Sequence, residues 1–369
     1  MGPVTCWRQI CFSFATASAI TLLSSCAALD PEAASDSPRM TVGAGTPVPV
    51  AGETQAVATL SADAADDPEI WADPADPSRA VIFGTDKQAG LYVYNLDGSV
   101  RQFLKEGPLN NVDLRGGFVV DGKAQVLVGV SDRARMGIAL YLFDPATLET
   151  RPWGVIPVAV SEPYGFCMGR LGDAFIAVLI GKDGDVKQLD VTAEGGKPAA
   201  RETRSFAVGS QSEGCVVDDA AGALYVGEEA KGVWRYGLDP ASGAARSQFA
   251  AAPSAMLTPD VEGLTLLKEG GKTWLIASSQ GDSAFAVWRV DGPEPVYAGR
   301  FSPVAANGVD NVTGTDGVAA LGGPVGAFPE GLIVTQDDVD TEGEATSATR
   351  VRQNYKLIDW RAVKAALGL

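Results

Sequence analysis

Six short segments of similar pattern recur along the chain, and this recurrence constrains the fold more than any other feature. Each has an apolar run, a short gap with polar residues, a second alternating run and a turn, as in "AVIFGTDKQAGLYVYNLDG" near Val81. The other five begin near Val126, Ala174, Ala223, Thr273 and Gly331, the last being completed by "NYKLIDW" from Asn354. The starts lie roughly 45 to 60 residues apart, a spacing within or slightly beyond that of four-stranded propeller blades.

The sequence therefore predicts an all-β protein with a six-bladed β-propeller over residues 55–369. Its 43 glycines and few long helical patterns agree with this class. A large β-sandwich is the alternative, but it does not explain the regular recurrence. In a propeller, polar residues at equivalent ends of different blades converge around one mouth of the central channel. The C-terminal "WRAVKAAL" is too short for an independent helix and is expected to pack on the rim.

The N-terminus has the pattern of a targeting segment. An apolar run from Ile10 to Leu23 follows Arg8 and is shorter than a membrane span. It ends in "LLSSC", which resembles the bacterial lipoprotein signal that is cut before a lipidated cysteine. We expect residues 1–25 to be a signal peptide, Cys26 to carry the lipid anchor and residues 26–54 to be a flexible tether. An ordinary secretory signal is the alternative; either way the protein is expected in the cell envelope or secreted.

Two cysteines remain in the mature domain, Cys167 and Cys215. An oxidising compartment would allow them to pair. Two small buried thiols explain them equally well, and the sequence does not distinguish these alternatives.

The charge and the missing histidine exclude several functions. A formal charge of −17 argues against nucleic acid as a partner. The chain has no histidine, which removes the commonest general base, the commonest transition-metal ligand and all nucleophile schemes that use histidine.

Acidic residues in short contexts flanked by glycine or proline form the first set of candidate site residues. They are Asp66, Asp67, Glu213, Glu228, Glu229, Asp260, Glu262, Asp310, Asp316 and Asp337. Each alone is typical of a surface turn, but convergence at a propeller mouth would make them one site. Asp260 and Glu262 are two residues apart and would point the same way in a strand. A cage of oxygens selects a hard cation, Ca²⁺ most naturally.

Basic residues form the second set. Lys87, Arg133 and Lys182 occupy equivalent gaps between paired strands of three successive repeats. Ordinary surface charge explains each one singly, whereas the repetition predicts that all three surround the same mouth as the acids. A bound cation together with Lys and Arg donors suits a highly anionic substrate, phosphate above all.

Eight motifs in order resemble the β-propeller phytases, calcium-dependent enzymes that dephosphorylate inositol hexakisphosphate. They are "DAADDPEIW", "NNVDLR", "EPYGFCMGR", "SEGC", "TPDVEGLT", "ASSQGDSAFAVW", "GTDG" and "QNYK", running from about residue 58 to 361. The resemblance implies a six-bladed propeller, several Ca²⁺ ions, and phytate and other inositol phosphates as substrates. We also expect a monomer that contacts the membrane only through the anchor on Cys26.

The resemblance also implies roles for individual residues. The metal ligands would be Asp66, Asp67, Tyr164, Glu213, Glu229, Asp260, Glu262 and Asp316, with Asp67 favoured over Asp66. Asp310 and Asp337 would bind calcium ions that stabilise the fold. Catalysis would depend on Lys87, Arg133, Tyr164, Lys182 and Glu229, and substrate binding on Lys87, Arg133, Lys182, Asp183 and Arg115.

The implied reaction is attack of a metal-activated water on a phosphomonoester, with no phosphoenzyme. Phytases of the histidine-acid type are excluded because histidine is absent, and the cysteine-dependent type lacks its phosphate loop. Two other classes fit the acids alone: another calcium-dependent propeller hydrolase, such as a lactonase, and a non-catalytic propeller lipoprotein. Neither accounts for Lys87, Arg133 and Lys182 together.

Overall fold

A computed structural model describes residues 1–2, 43–60, 63–341 and 351–369. The predicted signal peptide, apart from its first two residues, and Cys26 lie outside the described residues. Two short strands come first, β1 (Thr46–Pro49) and β2 (Gly52–Glu53).

Six antiparallel sheets follow, and each is one blade of a propeller, so the predicted fold class is confirmed. The strands of each blade are given from the centre outward. Blade 1 contains β3 (Ala65–Ala72), β4 (Ala80–Asp86), β5 (Gly90–Asn95) and β6 (Val100–Leu104). Blade 2 contains β7 (Leu109–Val120), β8 (Lys123–Asp132), β9 (Gly137–Asp144) and β10 (Glu149–Pro157). Blade 3 contains β11 (Pro163–Leu171), β12 (Ala174–Gly181), β13 (Asp185–Glu194) and β14 (Lys197–Ala207).

The second half of the chain repeats this arrangement. Blade 4 contains β15 (Cys215–Asp218), β16 (Ala223–Glu228), β17 (Gly232–Gly237) and β18 (Arg246–Ala251). Blade 5 contains β19 (Leu264–Glu269), β20 (Lys272–Ser279), β21 (Ala284–Arg289) and β22 (Val296–Val304). Blade 6 contains β23 (Val318–Gly322), β24 (Gly331–Asp340) and β25 (Arg352–Asp359). Each innermost strand contacts the innermost strand of the next blade, and β23 contacts β3 to close the ring.

The hydrophobic core lies between the blades. Strand β4 is buried at every position because neighbouring blades cover both of its faces. Phe83 packs edge-on against Phe143 of blade 2 at 5.6 Å between ring centroids, whereas Ile82 on the opposite face joins Tyr355 of blade 6. Burying both faces of such strands against neighbours is the main favourable term in forming the ring.

The N-terminal strands close the ring, which corrects the predicted domain boundary. Residues 46–53 were assigned to the flexible tether, but β2 is the outermost strand of blade 6, where Gly52 pairs with Leu357. Strand β1 pairs in parallel with β22 as a fifth strand of blade 5. The physical reason is that the last sheets would otherwise expose unpaired backbone groups at their outer edges.

The C-terminal segment forms a short helix on the rim, as predicted. Helix α1 (Trp360–Leu367) begins after Asp359, whose side chain accepts a hydrogen bond from the Arg361 N–H. It buries Trp360 and Val363 against the outer part of blade 5, so tertiary packing supports a helix of only eight residues. Among the described residues, no helix has the length and apolar character needed to cross a bilayer.

Candidate active site

The strand register places six residues at equivalent positions at the start of the six innermost strands. Each blade has an equivalent pair of residues that joins its innermost strand to its second strand; Pro68 pairs with Gly84 in blade 1, and Phe166 pairs with Leu179 in blade 3. The residue two positions before the inner-strand member of this pair faces the same end of every blade. These six residues, which we call the inner ring, are Asp66, Asn110, Tyr164, Glu213, Glu262 and Asp316.

A second set occupies equivalent positions near the ends of the second strands, five in the turns that follow them and Asp338 within β24. Three residues after the second-strand partner come Lys87, Arg133, Lys182, Glu229, Gln280 and Asp338, which we call the turn set. The start of an inner strand and the end of its antiparallel neighbour lie at the same end of a blade. The two sets therefore border the same mouth of the channel.

Backbone hydrogen bonds fix the turn set relative to the inner ring. The N–H of Lys87 donates to the Ala64 carbonyl at 2.7 Å, and that of Arg133 donates to the Pro108 carbonyl at 3.1 Å. The same bond recurs in blades 3, 4 and 5 between Lys182 and Glu162, Glu229 and Gln211, and Gln280 and Asp260. The backbone behind each of these side chains is thus set by the fold.

Glycines bring the inner-ring residues of neighbouring blades close together. Gly165, Gly214 and Gly263 directly follow three of them. A Cβ atom at Gly214 would lie 1.8 Å from the Glu262 carbonyl oxygen, and one at Gly165 would lie 2.1 Å from that of Glu213. Only glycine allows this approach of backbone to backbone.

Five carboxylates form two triads that share Glu213. The first contains Asp66, Glu213 and Asp316, and the second contains Glu213, Glu229 and Glu262. In each triad one oxygen from every residue lies within 4.8 Å of the others, and all five residues are buried. The triads bring together five residues that the sequence predicted as metal ligands.

Burial shifts the titration of these carboxyl groups. It raises the pKa of Asp66 to about 7, with the negative charge of Glu213 adding to the effect. It also raises the pKa of Glu213 to about 7, helped by Asp316. Burial and the neighbouring acids hold the pKa values of Glu262 and Asp316 well above their ordinary values. Without a cation these groups would retain protons near neutral pH.

Lys87 lies within the first triad. Its Nζ is 3.0 Å from Asp66 Oδ1, 3.1 Å from Asp316 Oδ2 and 2.9 Å from Asp63 Oδ2. Burial opposes the charge of Lys87, but the surrounding aspartates outweigh it and hold the pKa of Lys87 well above its ordinary value. The ammonium therefore stays charged within the first triad.

Tyr164 contacts both the carboxylate triads and the other two basic residues of the mouth, Arg133 and Lys182. Its hydroxyl interacts with Glu213, while Arg133 and Lys182 lie over its ring at 5.5 and 5.8 Å from the centroid. On the acidic side, Asn110 Nδ2 donates to Glu213 Oε1 at 2.5 Å. The predicted catalytic residues Lys87, Arg133, Tyr164, Lys182 and Glu229 thus all belong to the inner ring or the turn set.

Two predicted ligands stand apart from the triads. Asp67 Oδ2 accepts a hydrogen bond from the Val112 N–H at 3.0 Å, so this carboxylate ties blade 1 to blade 2. The structure therefore brings Asp66, and not the favoured Asp67, into the acidic cluster. Asp260 and Glu262 precede β19 in a loop and not in a strand, and only Glu262 joins a triad.

Asp310 and Asp337 belong to a separate cluster in blade 6. Both contact the ammonium of Lys356, Asp310 at 2.6 Å and Asp337 at 3.1 Å. Glu53 of β2 and Asp340 of β24 also contact Lys356, at 2.6 and 3.3 Å. The side chain of Lys356 is fully buried, so an internal cation partly balances these acids.

Arg115 and Asp183 occupy different surroundings from each other. Arg115 lies in the body of β7 and donates to Asp113 and to Asp219, which follows β15 at the end away from the mouth. The sequence predicts that Arg115 binds substrate, but it does not border the mouth, because it lies five positions after Asn110 along β7. Asp183 is exposed in the turn beside Lys182, so it lies at the mouth.

Sequence reasoning missed three contributors to these clusters. Asp63 contacts Lys87, Glu162 contacts Arg133, and Lys356 centres the blade 6 cluster. Lys356 is the last residue of the "QNYK" motif, so the sequence did contain a pattern that could have marked it as a candidate site residue. Glu162 and Asp63 lie in loops before inner strands. Asp63 meets Lys87 through the pairing of β3 with β4 in one blade, whereas Glu162 meets Arg133 only when blades 2 and 3 pack together.

Comparison with known proteins identifies the family. A sequence model of the family described as Phytase matches residues 11–369. A 3-phytase of Bacillus subtilis (strain 168) is 35% identical over 329 residues, which are 86% of this chain and 84% of that protein. A solved chain from a nidogen/laminin complex covers 73% of this chain and 95% of itself at 13% identity, and its TM-score of 0.43 is too low to argue from. The chain belongs to the phytase family.

Proposed function

We propose that this protein is a calcium-dependent phytase that hydrolyses phosphomonoesters of inositol hexakisphosphate and of lower inositol phosphates. The observation that carries the proposal is the channel mouth, where two buried carboxylate triads sharing Glu213 lie beside Lys87, Arg133 and Lys182. Family membership and the 3-phytase relative support the same activity.

The donor set of the mouth fits calcium. The triads supply only oxygen atoms, which hard cations prefer. Asp66 Oδ2 and Glu262 Oε2 are buried and accept no hydrogen bond from the described residues, so each has unused capacity for a ligand. We assign Asp66, Glu213, Glu229, Glu262 and Asp316 as the residues that would hold Ca²⁺, with Tyr164 beside them. Bound Ca²⁺ would neutralise phosphoryl oxygens and increase the acidity of a ligated water.

The cations of the chain have complementary roles in the proposed reaction. Arg133 and Lys182 lie on the Tyr164 ring, where they would bind non-bridging oxygens of the phosphate that is cleaved. Lys87, whose ammonium lies between Asp66 and Asp316, would stabilise the charge that develops on those oxygens in the transition state. Water would attack phosphorus while the bond from phosphorus to the inositol oxygen breaks.

Release of inorganic phosphate from phytate, measured with Ca²⁺ and with EGTA, tests this function. We expect release only with Ca²⁺. A calcium-loaded protein that released no phosphate from phytate but opened a lactone would instead be a lactonase. A protein that bound phytate without turnover would be a binding module, and both results would refute the proposal.

We also propose that the blade 6 cluster binds a calcium ion that stabilises the fold. Four carboxylates surround the single ammonium of Lys356, and oxygens of Glu53, Asp310 and Asp340 lie within 4.8 Å of one another. Asp310→Asn is expected to reduce the number of bound calcium ions and the melting temperature while leaving kcat within about two-fold. An unchanged calcium stoichiometry would contradict this assignment.

For localisation, we propose that residues 1–25 are removed, that Cys26 is acylated and that the protein is a monomer. The support for the cleavage and the acylation is the "LLSSC" sequence alone. Cys26→Ala is expected to move the protein from the membrane fraction to the soluble fraction, which immunoblotting of fractionated cells would measure.

A further inference from the structure

Arg133 is paired with a carboxylate that lies outside both triads. Arg133 Nε lies 3.3 Å from Glu162 Oε1, across the boundary between blades 2 and 3. The Arg133 side chain is only 19% exposed, whereas that of Glu162 is 43% exposed. The carboxylate is therefore the more exposed partner of the pair, and an anion that reaches Arg133 from solvent would compete with it.

The backbone of Glu162 is held at the mouth while its carboxylate has room to move. Its carbonyl accepts the hydrogen bond from the Lys182 N–H at 3.0 Å, so its position is part of the framework that sets the turn residues. A half-exposed carboxylate can rotate into water at little cost, because exposed ion pairs contribute little stability. Lys87 differs, since its partners Asp66 and Asp316 are buried.

We propose that Glu162 is a specificity-determining residue that competes with phosphate for Arg133. It occupies the guanidinium when the mouth is empty and rotates away when a phosphoryl group binds. Glu162 thereby weakens the binding of a single phosphate and speeds the release of the product. A substrate with several phosphates displaces it more readily, because its total charge is larger. This inference rests on the proposed function, since it takes Arg133 to bind phosphate.

Removal of the charge is the direct test. Glu162→Gln and Glu162→Ala are both expected to lower the inhibition constant of inorganic phosphate by roughly two- to five-fold. The KM for phytate should fall by a smaller factor, because phytate displaces Glu162 more readily. The inhibition constant should fall with both variants. The kcat should stay within about two-fold of the wild-type value, or decrease because the product is released more slowly. Raising the salt concentration should reduce the difference from the wild type.

Glu194→Gln is the matched control, because Glu194 is an exposed carboxylate at the opposite end of the same blade. It makes the same change in net charge and should leave KM and phosphate inhibition unchanged. Thermal unfolding of all variants would report any damage to the fold. Wild-type values for both Glu162 variants, or opposite shifts for Gln and Ala, would overturn the proposal.

Calorimetric titration with inorganic phosphate separates this inference from the proposed function. If the wild type proved unable to hydrolyse phytate, the function would fail, but the titration would still compare phosphate affinities. Tighter binding to Glu162→Gln than to the wild type would then support the role of Glu162 by itself. Equal affinities would refute it whether or not the protein is a phytase.

Discussion

At the scale of single residues, Lys87 is the group on which the balance of charge at the mouth depends. Its ammonium contacts three aspartates and is itself 5% exposed. Removing one partner of a buried ion pair leaves the others without compensation, which is more harmful than losing a surface pair.

Lys87→Met is therefore expected to affect both stability and activity. In EGTA we expect a loss of about 3–5 kcal/mol of unfolding free energy. With Ca²⁺ much of that loss should be recovered, while phytate hydrolysis stays at least about 100-fold below wild type. Chemical denaturation and phosphate release would measure the two effects.

Lys123→Met is the control, since the Lys123–Asp144 pair is exposed and its removal should change stability by less than about 1 kcal/mol. Equal effects of both variants would contradict the role given to Lys87.

Glu213 is the residue whose charge both triads share. Glu213→Gln keeps the oxygen that accepts from Asn110 but removes one of the crowded negative charges. We expect the calcium-free variant to melt at a higher temperature than the wild type, because repulsion among buried acids is relieved. Calcium affinity and activity should both fall, activity by at least about 100-fold.

Calcium titration, melting curves and phosphate release would check these three effects. Glu194→Gln, an exposed change of equal charge away from the mouth, is the control for net charge. A Glu213→Gln variant that kept wild-type calcium affinity would show that the triads are not the metal site.

At the scale of the strands, the glycines after the inner ring determine how closely neighbouring blades approach. Gly214 lies directly before β15, where a Cβ would collide with the Glu262 carbonyl at 1.8 Å. The collision is with backbone, so no side-chain rotation can relieve it. Glu262 would have to move, and with it the second triad.

Gly214→Ala is expected to destabilise the protein by about 1–3 kcal/mol and to lower its affinity for calcium. Gly116→Ala in β7 is the matched control, because a Cβ there meets no atom within 4 Å. It should leave both quantities close to wild type. Denaturant unfolding and calcium titration would measure them. Full calcium affinity in Gly214→Ala would show that close blade approach is not needed to form the triads.

The disulfide also acts at this scale. Cys167 in β11 and Cys215 in β15 are bonded, with their Cα atoms 5.7 Å apart, so the pairing that the sequence left open is present. It joins the inner strands of blades 3 and 4, close to Tyr164 and Glu213 respectively. Its position adds a covalent link between two blades beside the acidic cluster.

At the scale of the whole molecule, the buried carboxyl groups make stability depend on pH. Burial raises the pKa of Asp66 and Glu213 to about 7 and that of Glu69 to about 8. In the unfolded chain such groups titrate near pH 4. Between these values the folded state binds more protons than the unfolded state, so the unfolding free energy falls as pH rises.

We therefore expect the calcium-free protein to lose stability steadily between pH 5 and pH 7. Calcium should reverse the trend, because it binds the folded state and competes with protons for the same oxygens. Urea unfolding at pH 5, 6 and 7, in EGTA and in Ca²⁺, would measure both slopes. If the unfolding free energy rose with pH in EGTA, the buried carboxylates would have to be neutralised by other groups of the protein when calcium is absent.

The sequence by itself determined the architecture and the chemical class of the site. Repeat length and two-residue alternation are local properties, so six similar pieces sufficed to predict six blades. Positional equivalence within the repeats likewise placed Lys87, Arg133 and Lys182 at one mouth, and the absence of histidine excluded other hydrolytic schemes. The family resemblance added the metal and the substrate.

Only the tertiary structure decided which side chains meet. Adjacent residues of an extended chain point in opposite directions, so the choice between Asp66 and Asp67 depended on the register of β3 against β4 and on the neighbouring blades. The pairs Arg133–Glu162 and Lys356–Asp310 join segments whose separation in space is set by the assembled ring. Strands β1 and β2 became part of the propeller because only the closed ring offers them an edge to pair with. Contacts of this kind depend on long-range geometry, which no local pattern in the sequence encodes.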